Sequence, residues 1–377
     1  MIDSRVRQLA HLALSASCHL NPGERVLFET VDVPDEAVLA FVREARLLGA
    51  VPFVRAKSER LIRELAIKQR VEDISLQAKW ELQQMRDVDV LVLIRCPLNV
   101  CEMWDLTPDQ LHAVTEHYVR PVHFEYRNRK MRFVTLRWPS PAFAQRAGMS
   151  TEAFEDAFFG ACLVDYQQLS CATDPLVRRM AQTDQVHILG PGTTDLTFSI
   201  KGMRVVKEMG ERNLPDGEVS TSPVRNSVNG RIHYNLPSRF YGQELCEIQL
   251  VFKNGRVEEM TCDESSRLVR LLDQDAGARF MGEFAIGLNP LIQRPMGDVL
   301  FDEKMAGTVH CAQGDSYGDW DNGNRSAVHL DFILSQLPAY GGGELFFDGE
   351  LIRKNGVFLP KELRALNPDA ILSGLTS

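Results

Sequence analysis

Apolar positions in the first half of the chain change period repeatedly, from helical to extended and back. Val6, Leu9, Leu12 and Leu14 gather on one helical face. After the turn signal Asn21-Pro22-Gly23, residues 25–31 read as a strand, and residues 35–48 return to the helical period before closing at Gly49. Residues 51–55 and 88–94 are two further strand signals, each reached through a helical segment. Over residues 107–127 the pattern is helical, with Thr107 placed to cap and Pro108 to fill the first turn. Residues 151–184 are helical as well. Strands spaced by helices of this length predict a parallel sheet covered by helices.

Near Gln185 the pattern changes. Short β-runs now dominate, punctuated by Gly190-Pro191-Gly192, Asn229-Gly230, Asn254-Gly255 and Asp348-Gly349, the last two placed as hairpin turns. A chain of 377 residues exceeds the usual span of one hydrophobic core. The expectation is an α/β protein: an N-terminal parallel-sheet α/β domain over 1–180, then a C-terminal α+β domain over 181–377 with a mixed sheet carrying the chemistry.

Charge narrows the partners. A formal charge of −9 and a pI near 5.6 disfavour nucleic acid and anionic membranes, which select clustered Lys and Arg. A small molecule or peptide suits the chain better. Asp3, Arg5 and Arg7 interrupt what a secretion signal would need, and the apolar run 88–94 is far short of the ~20 residues of a membrane span, so the expected location is the cytoplasm. Eight cysteines are scattered without a CxxC pair, which leaves nitrogen and oxygen as the ligands of any metal. Residues 190–195 lack the remaining features of a phosphate loop, and residues 319–324 lack the closing Glu of a calcium loop.

The chemistry concentrates between Glu218 and Asp331. In the strand-like run 328–333, His329 and Asp331 project to one face about 7 Å apart along the chain. His310 and Tyr317 lie in a Gly-flanked stretch expected to be loop after a short β-run. Glu218, Glu283 and Glu303 sit among apolar or Gly residues with few basic partners beside them. A Glu drawn toward an apolar core must be neutralised by a proton, a cation or a metal. Several carboxylates with two His suit a dinuclear centre, because a carboxylate can bridge two ions and an imidazole cannot.

Taken in order, Gly-Glu-Val at 217–219, Ser-Val-Asn-Gly at 227–230, Gly-Glu-Phe-Ala-Ile-Gly at 282–287, Leu-Phe-Asp-Glu-Lys at 300–304, His310 with Tyr317, and His-Leu-Asp at 329–331 resemble the thermophilic metalloaminopeptidases of the aminopeptidase T and S type. Gly-Thr-Thr-Asp-Leu-Thr-Phe at 192–198 is similar to a further segment of that family. The resemblance implies that Glu218, Glu283, His310, His329 and Asp331 bind two divalent cations (Zn, Co or Mn), with Glu283 as the bridge and Tyr317 beside them. Glu303 is the nearest candidate for a third Glu ligand, although its seven-residue spacing to His310 is longer than in many relatives. It also implies a homodimer acting on short peptides, in which water activated by the ion pair cleaves the N-terminal peptide bond. Tyr317 would donate to the developing oxyanion, and either a ligating carboxylate or Glu303 would serve as base. The rival reading is a mononuclear non-haem Fe(II) ring-cleaving dioxygenase using His310, His329 and Asp331.

Overall fold

The computed structural model describes residues 3–240 and 243–374. Two compact units divide them: one is built on the chain up to Leu163 together with Gly210–Pro215, the other on Val164–Met209, Asp216–Phe240 and the chain from Glu244 onward.

In the first unit the apolar runs form a five-stranded sheet in which every pairing is parallel. Its order is Val51–Lys57, Arg25–Val31, Val90–Arg95, Arg132–Arg137 and Asn213–Leu214. The strand Val90–Arg95 is buried on both faces except at its final Arg, as an inner strand covered by helices must be. The crossover helix Asp35–Leu47 buries Ala37, Ala40, Phe41 and Ala45, with acidic residues in its first turn and Arg46 in its last. Thr107 closes a reciprocal capping box with Gln110, so the helix Pro108–Val114 starts where the sequence placed it. That helix runs on as a wider π-helical stretch, Thr115–Arg127, around Pro121, which has no N–H to give to a regular ladder.

The second unit contains an eight-stranded and a five-stranded sheet. Every strand pairing within both is antiparallel, where the sequence suggested a mixed sheet. Tight connections account for the difference, since a parallel pair needs a long crossover. Asn254-Gly255 and Asp348-Gly349 both turn with positive φ, joining Ile248–Lys253 to Arg256–Thr261 and Glu344–Phe347 to Glu350–Lys354.

The five-stranded sheet runs His329–Ser335, Thr308–Gly314, Met281–Gly287, Glu218–Thr221 and Val206–Glu208. One of its faces is apolar: Phe284 packs edge-on against Phe198 at 5.0 Å, and Phe332 meets Tyr234 at 5.4 Å. Phe198 and Tyr234 belong to strands of the eight-stranded sheet, so the two sheets share this core. No helix among the described residues is long and apolar enough to cross a membrane.

Candidate metal centre

The other face of the five-stranded sheet gathers the polar residues, and the strand register explains why. Gly287 pairs with Glu218, Ala285 with His310, Glu283 with Ala312, Ala312 with Asp331 and Gly314 with His329. Directly paired residues point to the same face, and residues two apart on one strand do too. Glu218, Glu283, His310, His329 and Asp331 therefore share one face, separated by Ala285, Gly287, Ala312 and Gly314, which are too small to fill the space between them. The register shift between Met281 and Glu283 sets this phase for the central strand.

Glu303 arrives from outside the sheet, just after the helix Val299–Asp302. Gly287 makes the approach possible: a Cβ there would lie 2.4 Å from Met305 O and 2.6 Å from Glu303 O. Despite its seven-residue spacing from His310, Glu303 reaches the cluster.

Among the described residues, three sets of side chains converge with their donor atoms within 4.8 Å of one another: Glu218, Glu283 and His310; Glu283, His329 and Asp331; and Glu303, His310 and Asp331. Glu283 belongs to two of them, with Oε1 3.8 Å from His310 Nε2 and Oε2 3.2 Å from His329 Nε2. His310 Nε2 lies 3.6 Å from Glu218 Oε2, and His329 Nε2 lies 3.6 Å from Asp331 Oδ1. His329 Nδ1 is 2.8 Å from the carbonyl of Asp315, so it donates there and leaves Nε2 to face the carboxylates.

Lys304 was not among the candidates from the sequence. Its side chain is buried, with Nζ 2.5 Å from Glu218 Oε1, 2.9 Å from Glu303 Oε1 and 3.8 Å from Asp216 Oδ1. The expectation that these glutamates have few basic partners is corrected here, since the residue next to Glu303 in sequence neutralises both. Locally Lys304 sits in Asp302-Glu303-Lys304, which reads as an ordinary charged run, so the sequence offered no signal for its burial. Glu208 also went unnoticed. It pairs with Glu218 in register and accepts a bond of 2.8 Å from Ser220 Oγ, a contact between two short neighbouring strands whose pairing the sequence pattern did not mark.

His310 corrects a local expectation: it lies inside the strand Thr308–Gly314, and only Tyr317 falls in the loop beyond. Val309 and Cys311 alternate with His310 and Ala312, a strand period masked by the flanking glycines. Tyr317 is half-buried, with its ring 4.8 Å from that of His329.

The electrostatics suit a cation-binding centre. Burial pushes the Glu218 and Glu303 carboxyls above their ordinary range against the pull of Lys304 and His310. Lys304 itself stays charged, because the surrounding carboxylates, Glu218 foremost, outweigh its burial. Burial opposes charge on both imidazoles, yet Glu218 with Glu283 raises His310 to about 10, and Asp331 with Glu283 raises His329 to about 10. Burial, then Glu283 and Asp331, keep the Tyr317 hydroxyl protonated. Without a metal, the four carboxylates are faced by Lys304 and by imidazoles that must hold extra protons to compensate, and among the described residues Glu218 Oε2 is buried without a hydrogen-bond partner. An oxygen-rich donor set with two imidazoles and an orphaned carboxylate oxygen fits divalent metal.

Comparison with known proteins agrees with this chemistry. Over 397 aligned positions the chain is 24% identical to aminopeptidase PepS of Streptococcus thermophilus, covering 91% of this chain and 94% of that protein. It is 31% identical to aminopeptidase T of Thermus aquaticus over 192 residues, 44% of this chain and 45% of that one. Among solved structures, wild-type AmpT from Thermus thermophilus has a similar fold, with a TM-score of 0.80 at 21% identity over 94% of this chain and 99% of that one. A 2,5-dihydroxypyridine dioxygenase from Pseudomonas putida has a TM-score of 0.59 at 14% identity over 96% and 100%. Residues 2–340 match the model of the family described as thermophilic metalloprotease (M29), and the chain belongs to that family.

Proposed function

We propose that the chain is a metal-dependent aminopeptidase that removes the first residue of short peptides with the help of two divalent ions, Zn, Co or Mn. The observation that carries this reading is the sharing of Glu283 between two converging sets of donors. Glu218, Glu283 and His310 would hold one ion; Glu283, His329 and Asp331 would hold the other. Bound there, the ions would lower the pKa of water toward ~7 and polarise the scissile carbonyl.

The remaining steps belong to side chains. Tyr317, kept protonated above the cluster, donates a hydrogen bond to the oxygen that gains negative charge. Glu303 keeps one carboxylate oxygen outside its bond to Lys304, and that oxygen can accept and return a proton. No serine or cysteine nucleophile is required.

The fold likeness to a dioxygenase favours a second reading, one Fe(II) on His310, His329 and Asp331. The geometry speaks against it: His310 and His329 fall in different sets, and every set contains a glutamate. Protein stripped with chelator and reloaded with Mn, Co or Zn should release the first residue from di- and tripeptides and leave N-acetylated peptides intact. Oxygen uptake with Fe(II), and no peptide cleavage with any ion, would reverse the assignment. The same reading includes a homodimer, checked by light scattering of the purified protein.

A further inference from the structure

The two halves of the cluster are built unequally. Around Glu283, His329 and Asp331, the imidazole is pinned by its bond to the Asp315 carbonyl. Among the described residues, Glu283 and Asp331 have the two imidazoles as their ion-pair partners and no lysine or arginine. Around Glu218, Glu283 and His310 both conditions reverse. Among the described residues His310 Nδ1 is buried without a hydrogen-bond partner, so no protein group fixes the tautomer or the ring as Asp315 does for His329. Glu218 already gives Oε1 to the Lys304 ammonium, leaving only Oε2 for another cation.

We propose that Lys304 is a fixed cation that divides the centre into a tight metal position, at Glu283, His329 and Asp331, and a weaker, exchangeable one at Glu218, Glu283 and His310. This rests on the metal-dependent reading above and deepens it. An ammonium on one oxygen of Glu218 repels a divalent ion on the other and withdraws electron density from it. The unsupported His310 ring works in the same direction, since losing an outer hydrogen-bond partner weakens a histidine ligand by about 10 to 100-fold. Lys304 also holds Glu218 and Glu303 in place before any metal arrives. It is a positioning residue, with no contact to substrate required.

Stepwise calorimetric titration of the metal-free protein with Zn²⁺ or Mn²⁺ tests this without any assay of turnover. Two binding steps separated by about tenfold or more in affinity are expected. Glu218→Gln should abolish the weaker step and keep the tighter; Asp331→Asn should abolish the tighter. Lys304→Met should strengthen the weaker step by about tenfold and narrow the gap, with folding verified by circular dichroism. Two equal steps in the wild-type protein, loss of the tighter step in Glu218→Gln, or an unchanged gap in folded Lys304→Met would each overturn the proposal. If Lys304→Met fails to fold, the Glu218→Gln and Asp331→Asn pair still decides which half is weak. Uptake of no ion at all would overturn the metal reading itself, whereas equal uptake of two ions would overturn the asymmetry alone.

Discussion

At the scale of single residues, the centre concentrates its burden on Glu283. A carboxylate shared by two donor sets cannot be replaced by an amide, whose nitrogen would face a cation with hydrogens. Glu283→Gln should therefore reduce bound metal from two ions to at most one and lower peptidase activity by about 10³-fold or more, read by elemental analysis and steady-state kinetics. Tyr317 separates from this set because, in the proposed mechanism, its hydroxyl would act on the reacting carbonyl. Tyr317→Phe should lower kcat by about 10² to 10³-fold with metal content and KM little changed, as expected for a donor that matters in the transition state. Full kcat in Tyr317→Phe would reduce that side chain to packing. The candidate ligands were singled out from the ordered family-like motifs, helped at Glu218 and Glu283 by apolar or Gly neighbours, and the strand register brings them to one face. Lys304 was not, because a lysine beside a glutamate reads locally as an ordinary surface pair, and only its burial against Glu218 and Glu303 shows otherwise.

At the scale of elements, the site is a product of strand phase. Each site strand alternates a polar or small residue with an apolar one, as in Glu283, Phe284, Ala285 and Ile286, so one face packs against the neighbouring sheet and the other faces the cluster. The strand at 25–31 and the helix from Asp35 were legible because apolar runs and turn residues mark them directly, whereas the strands Arg132–Arg137 and Asn213–Leu214 went unrecognised in the sequence. Which strands pair was not legible, since the register of the site sheet joins residues from 10 to 69 positions apart and leaves no local trace. The small residues between the ligands yield a test that leaves every donor intact. Ala285 is fully buried and lies opposite His310, so Ala285→Val inserts two methyls into the space between the donors. The variant should lose about 1–3 kcal/mol of stability through overpacking, and metal affinity should fall more than tenfold in a calorimetric titration. Retained affinity would show that the space beside Ala285 lies outside the centre.

At the scale of the whole molecule, the first unit has an ionic centre of its own, built for a different purpose. Glu29 is buried in the strand Arg25–Val31, where Arg55 and Lys57 from the adjacent strand bond to it, and Lys57 also reaches Glu81 at 2.7 Å and the Tyr118 hydroxyl at 3.1 Å. Tyr118 in turn donates to Glu81 at 2.7 Å. Two cations here match two carboxylates, unlike the carboxylate excess of the second unit, so the cluster is self-balanced and calls for no further ion. Burial works against the Glu29 charge, but Lys57 and Arg55 overcome it and hold the carboxyl at about 2, below its usual 4.5. A pKa depressed in the folded state contributes stability that is complete above the unfolded value and lost as pH falls through the folded one. The shift corresponds to about 3 kcal/mol, fully present above pH ~4.5 and fading toward pH ~2. Glu29→Gln leaves Arg55 and Lys57 short of one buried counter-charge and should cost about 3–5 kcal/mol at pH 7 in chemical denaturation. Its deficit relative to wild type should shrink as the pH is lowered from about 4.5, because the wild-type carboxyl then takes up its proton too. A deficit that stays constant over that range would mean that shape, and not charge, holds Glu29 in the strand.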